Sequence, residues 1–171
     1  MRRDTILLSS LTSMLVVGSM AMAGESETPG RKVLKAWGDF FSGGTWTTNS
    51  LGTQHQHKYR TVLNGNLIEG ALLDGKVSSK LIVGVDPQTK KCKMWHFLSD
   101  DTVIQYRVTQ QAKGKWLLEG KGNGPKGSSS YRSRVTRLDK NSTKEEMLEH
   151  VHNGEKQPLG TRVWKRKRER K

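Results

Sequence analysis

Hydrophobic positions change period once along this chain, near residue 44. Before it, Val33, Leu34, Trp37 and Phe41 recur at helical spacing, one face of a short amphipathic helix that Ser42-Gly43-Gly44 terminates. After it, apolar and polar residues alternate in short runs separated by turn residues. The runs predict strands at Thr45–Leu51, His55–Leu63, Leu67–Leu73, Lys76–Val85 and Lys91–Leu98. Further strands are predicted at Thr102–Thr109, Lys115–Glu119, Tyr131–Leu138 and Glu145–Val151, and a tenth opens at Thr161–Trp164. Asn64-Gly65, Asp74-Gly75 and Asn153-Gly154 are hairpin signals. A Gly-rich stretch from Gly120 to Ser129 intervenes, and within it Gly122–Gly127 reads as a flexible hairpin loop. The ninth run is the least regular, because Glu145-Glu146-Met147-Leu148-Glu149 also favours helix. Ten short antiparallel strands in a chain of 171 residues make an all-β barrel or sandwich with a short N-terminal helix.

Alternation also assigns faces. On the second strand His55, His57, Tyr59 and Leu63 share one face, while Gln56, Lys58 and Arg60 share the other and need water. By the same rule Ile104, Tyr106 and Val108, then Trp116 and Leu118, then Tyr131, Ser133 and Val135 point inward. The fifth strand is ambiguous. Cys92, Met94, His96 and Leu98 oppose Lys91, Lys93, Trp95 and Phe97, and the two lysines put the second set outside. The interior is then apolar with aromatic and imidazole groups, which suits a barrel with a ligand cavity and equally a solid barrel with internal hydrogen bonds.

The first residues need separate treatment. Arg2 and Arg3 precede a mostly apolar run, Ile6 to Val17, and Ala21-Met22-Ala23 then gives way to polar residues. That is the pattern of a secretory signal peptide cleaved after Ala23, so the chain is expected to be exported, to a periplasm or the medium. The apolar run is short for a membrane anchor. Three segments follow: a signal peptide at 1–23, a barrel domain at 24–164 and a basic tail at 165–171. One cysteine, Cys92, excludes an internal disulfide and a cysteine-based zinc site, and reads as a small buried residue.

Gly44-Thr45-Trp46 is a G-x-W at the start of the first strand, just after a short helix. Gly84-Val85-Asp86-Pro87, Thr89, Trp95, Phe97, Ser99-Asp100 and Asn153-Gly154-Glu155 follow in order. From about Val33 to Lys167 the chain resembles the lipocalin-like domains of unknown function of secreted bacterial proteins, including many from planctomycetes. The resemblance implies an antiparallel up-and-down β-barrel of calycin type, with about ten strands and no established activity. It also implies that Trp46 packs across the closed end of the barrel beneath a basic residue from the end of the chain, for which Arg162 is the candidate.

Candidate chemistry is sparse. His55-Gln56-His57 and His150-Val151-His152 are H-x-H pairs, whose alternate residues share a strand face, so His55, His57, His150 and His152 are weak candidates for a metal site. A haem held by His96 or His150 is a related reading. Gly122-Asn123-Gly124-Pro125-Lys126-Gly127 formally matches G-x-G-x-x-G, but no helix follows it, so it is not a dinucleotide site. No G-x-S-x-G motif and no carboxylate pair marks a catalytic centre; Asp74, Asp86, Asp100 and Asp101 sit at turns. The formal charge of +14 favours polyanionic partners. Lys165, Arg166, Lys167, Arg168, Arg170 and Lys171 concentrate it at the C-terminus, where anionic polymers or lipid headgroups are more apt partners for an exported protein than a specific nucleic acid. The leading expectation is binding of a small, largely apolar ligand in the barrel without a cofactor, lined by His55, His57, Tyr59, His96, Tyr106, Trp116 and Tyr131. The alternative is attachment to anionic surfaces through the basic tail.

Overall fold

A computed structural model describes residues 27–50, 53–74 and 77–167. The signal peptide expected at residues 1–23 lies outside the described residues, as do Arg168, Arg170 and Lys171.

One helix, α1 (Pro29–Phe41), precedes eleven strands. Thr28 caps the helix, its hydroxyl accepting from the Arg31 amide, and Pro29 occupies the first turn, where a missing N–H costs nothing. The strands are β1 (Gly44–Ser50), β2 (Thr53–Val62), β3 (Leu67–Asp74), β4 (Val77–Val85), β5 (Cys92–Leu98) and β6 (Val103–Ala112). They continue as β7 (Lys115–Gly124), β8 (Gly127–Arg137), β9 (Ser142–His152), β10 (Glu155–Lys156) and β11 (Thr161–Lys167). Each of β1 to β9 pairs antiparallel with the next, β11 pairs with both β9 and β1, and the ring closes. The two-residue β10 pairs with the end of β9 and stands outside this ring of ten strands. Closure leaves the ten strands without a free edge. No helix among the described residues is long and apolar enough to cross a membrane.

The inward faces follow the alternation rule. Trp46, Tyr59, Ile68, Leu81, Val83, Met94, Ile104, Val108, Leu118 and Val135 are buried, and Cys92 lies with them. Burial pushes the Cys92 thiol up to about 12, so it is a neutral core group. α1 closes one end, where Trp37, Phe40 and Phe41 meet Trp46 and Trp116 in a cluster with ring centroids 4.4–5.8 Å apart. Gly30 and Gly38 let the helix sit close. A Cβ at Gly30 would overlap the Lys90 carbonyl, and one at Gly38 would press on Ile68 at 3.2 Å. Asp86 fixes the adjacent β4–β5 turn by accepting from the Gln88 and Thr89 amides and pairing with Lys93, which holds its carboxyl well below the usual carboxylate range.

Two expectations change, and the expected ninth strand gains a bulge. The Gly-rich segment is not a flexible loop: Gly120, Gly122 and Gly124 are strand residues, and the hairpin turn is confined to Pro125 and Lys126. The glycines are spacers. A Cβ at Gly120 would overlap the Tyr106 ring, one at Gly122 would crowd Ile104 at 3.0 Å, and one at Gly124 would strike Thr102. β9 is a strand of eleven residues with a bulge: Arg132 faces Glu149 and Ser133 faces Met147, leaving Leu148 extra. Finally, Lys165, Arg166 and Lys167 are not a tail. They complete β11, opposite Thr47, Trp46 and Thr45.

Candidate functional site: the barrel cavity

Beneath the open end of the barrel lies a cavity of about 270 Å³. Trp37, Phe41 and Trp46 floor it at the helix end. Leu72, Leu81, Met94, Ile104, Leu118, Val135 and Met147 supply apolar wall, and His57, Tyr59, His96, Tyr106, Tyr131, Ser133, Thr143, Glu145 and Arg162 supply polar wall. The volume corresponds to about nine water molecules of liquid, just below the usual range for small-molecule sites.

Five of the seven expected lining residues are in this wall: His57, Tyr59, His96, Tyr106 and Tyr131. His55 is buried on the same strand face but lies outside the cavity wall, one step nearer the mouth. Trp116 is core, edge-on to Trp37 at 5.6 Å and stacked on Phe40 at 5.8 Å. Its face was legible from alternation, but its depth depends on where α1 docks.

The polar groups are partly paired. His57 Nδ1 lies 3.2 Å from the Tyr59 hydroxyl, and its ring packs on Trp164 with centroids 3.9 Å apart. His96 Nε2 lies 2.6 Å from the Ser79 hydroxyl. Trp164 Nε1 donates to Glu145 Oε2 at 3.0 Å. Burial, with smaller contributions from His96, Arg162 and His55, lowers the His57 pKa to about 3; burial lowers that of His96 to about 4. Both imidazoles are therefore neutral at pH 7. Burial foremost, then Glu145, raises Tyr59, and burial, Tyr131 and Glu145 raise Tyr106, so both phenols stay protonated. Two buried polar atoms of wall residues, Trp37 Nε1 and Thr143 Oγ1, have no hydrogen-bond partner among the described residues. Such atoms cost about 1–3 kcal/mol each unless something satisfies them.

The stacked cation at the closed end is Arg166, not Arg162. Its guanidinium lies 5.0 Å from the Trp46 ring and 5.8 Å from Phe40. It donates to the carbonyls of Phe40 at 3.0 Å, Ser42 at 3.4 Å and Lys140 at 2.5 Å. A cation on the last carbonyls of α1 also meets the negative end of the helix dipole. Trp46 Nε1 completes the joint by donating to the Phe41 carbonyl at 2.9 Å. Arg162 lies on the same strand face, opposite Glu145 in the β9–β11 ladder, and belongs to the cavity wall.

All five histidines occupy inward positions, yet they do not converge. His150 stacks on Tyr131 at 4.8 Å, and His152 Nδ1 lies 2.8 Å from the Ser129 hydroxyl. Among the described residues no group of three His, Cys, Asp or Glu side chains is placed to hold a metal ion. Neither His55–His57 nor His150–His152 is joined by a third such side chain among the described residues.

Glu145, Thr143 and Met147 are wall residues that alternation did not single out. The bulge explains why. Glu145 and Met147 point inward before Leu148, and His150 and His152 do so after it, so no single period covers β9. Compared with protein-family models and with curated proteins, the chain matches none.

Proposed function

We propose that this protein binds a small, largely apolar molecule in the barrel cavity. The observation that carries this reading is a closed barrel that keeps a mainly apolar cavity of about 270 Å³, edged by His57, Tyr59, His96 and Tyr106. A solid barrel would fill that volume with side chains at interior density. An occupant with a polar atom would hydrogen-bond to the wall imidazoles and phenols, while its body displaces water from the Leu, Met and Trp walls. Neutral His57 and His96 and protonated Tyr59 and Tyr106 add hydrogen-bonding capacity without net charge. The resemblance to lipocalin-like domains and the signal-peptide pattern expected at residues 1–23 support an exported binding protein.

The test is displacement of an environment-sensitive apolar dye by a panel of small lipophiles. The dye should bind with one site per chain. Leu72→Trp, which fills the wall beside His57, should abolish uptake and keep the far-ultraviolet spectrum. Equal uptake by wild type and Leu72→Trp, or none by either, would overturn the reading.

A further inference from the structure

The outer wall carries a feature the cavity does not explain. Most outward strand positions are polar or charged, with Lys58, Arg60, Lys80, Lys93, Arg107, Lys121 and Arg132 among them. On β4, β5 and β6 the pattern breaks. Ile82 faces Trp95 across the β4–β5 ladder, and Phe97 faces Val103 across the β5–β6 ladder. Trp95 and Phe97 are two residues apart on one strand face, so the four side chains form one cluster. Phe97 and Val103 are each 41% exposed, and Leu73, on β3 toward the same end, is 51% exposed. This is the ambiguity of the fifth strand in physical form: its inward set fills the core, and its outward set is aromatic as well.

The cluster has a mixed border: Glu69 faces Ile82, Asp100 and Asp101 lie in the β5–β6 turn, and two lysines flank the aromatic pair. Lys80 lies beside Phe97 in the ladder, and Lys121 lies one strand beyond Trp95, across Gln105. Neither lysine is in an ion pair among the described residues. The patch also adjoins the cavity mouth, since His96 and Leu98, its strand neighbours, are cavity wall.

We propose that this face docks the barrel on an anionic lipid bilayer. Trp and Phe are the side chains that settle at the interface between headgroups and acyl chains, and unpaired lysines around them meet anionic headgroups. Charge complementarity selects this occupant: a chain of net charge +14 repels a second copy of itself and is drawn to a negative surface. Docking through β4–β6 holds the open end near the membrane, but the inference does not depend on the cavity being occupied.

The experiment uses the protein purified from its own cells, its N-terminus fixed by mass spectrometry. Co-sedimentation compares phosphatidylglycerol–phosphatidylcholine vesicles with pure phosphatidylcholine vesicles. Wild type should bind the anionic vesicles, keep part of that binding in high salt, and have its tryptophan emission quenched by brominated acyl chains. Trp95→Ser/Phe97→Ser should bind at least tenfold more weakly and lose the quenching. Phe97→Ser alone, at an exposed site, covers the case in which the double variant misfolds, and Lys80→Ala should weaken binding about fivefold. Vesicle binding that these substitutions leave unchanged but removal of residues 168–171 abolishes would overturn the proposal in favour of tail electrostatics. Failure to bind any vesicle would overturn it, as would a concentration-dependent dimer lost in Phe97→Ser.

Discussion

Acidification should destabilise the barrel well before its carboxylates titrate. His57 and His96 stay neutral in the fold to about pH 3 and about pH 4, whereas each is protonated below about 6.5 once unfolded. The unfolded chain therefore binds more protons throughout that window, and stability must fall as pH falls from about 6.5 toward 4. For one histidine held neutral, going from pH 8 to pH 5 costs up to about 2 kcal/mol. Two would reach about 4 kcal/mol, and their partial exposure to solvent reduces that to about 2–4 kcal/mol. The carboxylates with lowered values, Asp86, Asp100 and Asp139, act in the same direction but only below their ordinary range near 3.8, so they leave this window clear. His150, also lowered by burial, reinforces the trend. Urea unfolding followed by far-ultraviolet circular dichroism at pH 8 and pH 5 measures the difference directly. The double variant His57→Phe/His96→Gln should flatten it to less than half. Equal wild-type stability at the two pH values, or an undiminished slope in the double variant, would refute the assignment of these imidazoles as buried and neutral.

Other substitutions separate neighbouring roles. Arg166→Ala should lose about 2–4 kcal/mol in chemical denaturation, because three carbonyls lose a charged donor, while Arg162→Ala should stay within about 1 kcal/mol of wild type. Gly120→Ala should cost about 1–3 kcal/mol by overlap with Tyr106, and Tyr106→Leu in the same chain should recover part of the lost melting temperature. Removing residues 168–171 should leave the melting temperature unchanged, whereas ending the chain at Trp164 should lower it sharply by stripping the β1–β11 ladder. Trp116→Ala should destabilise by about 3–5 kcal/mol as a core cavity, in contrast to Tyr131→Ala, whose larger effect should be on dye affinity.

The barrel was legible because its strands alternate cleanly. Lys58 and Arg60 force His57 and Tyr59 inward, and Lys91 and Lys93 decide the fifth strand despite Trp95 and Phe97. What alternation gives is a face, and several features depend on depth or register instead. Trp116 and Tyr131 both point inward, yet α1 docks over the first and leaves the second in the cavity. Arg162 and Arg166 share a face of β11, and the choice between them rests on Arg166 standing opposite Trp46. The glycines at 120, 122 and 124 read as a loop because glycine weakens a strand considered alone. In the barrel they are the space into which neighbouring side chains, the Tyr106 ring among them, fit. Glu145 was hidden twice, by the helix-forming residues around it and by the bulge at Leu148 that shifts the period.

The central claim is that the barrel holds a small ligand, and native mass spectrometry of the protein from its own cells tests it most directly. The account predicts a bound organic mass, one per chain, that is absent from Leu72→Trp purified in the same way. A bare chain under gentle ionisation, with no uptake from the lipophile panel, would contradict it.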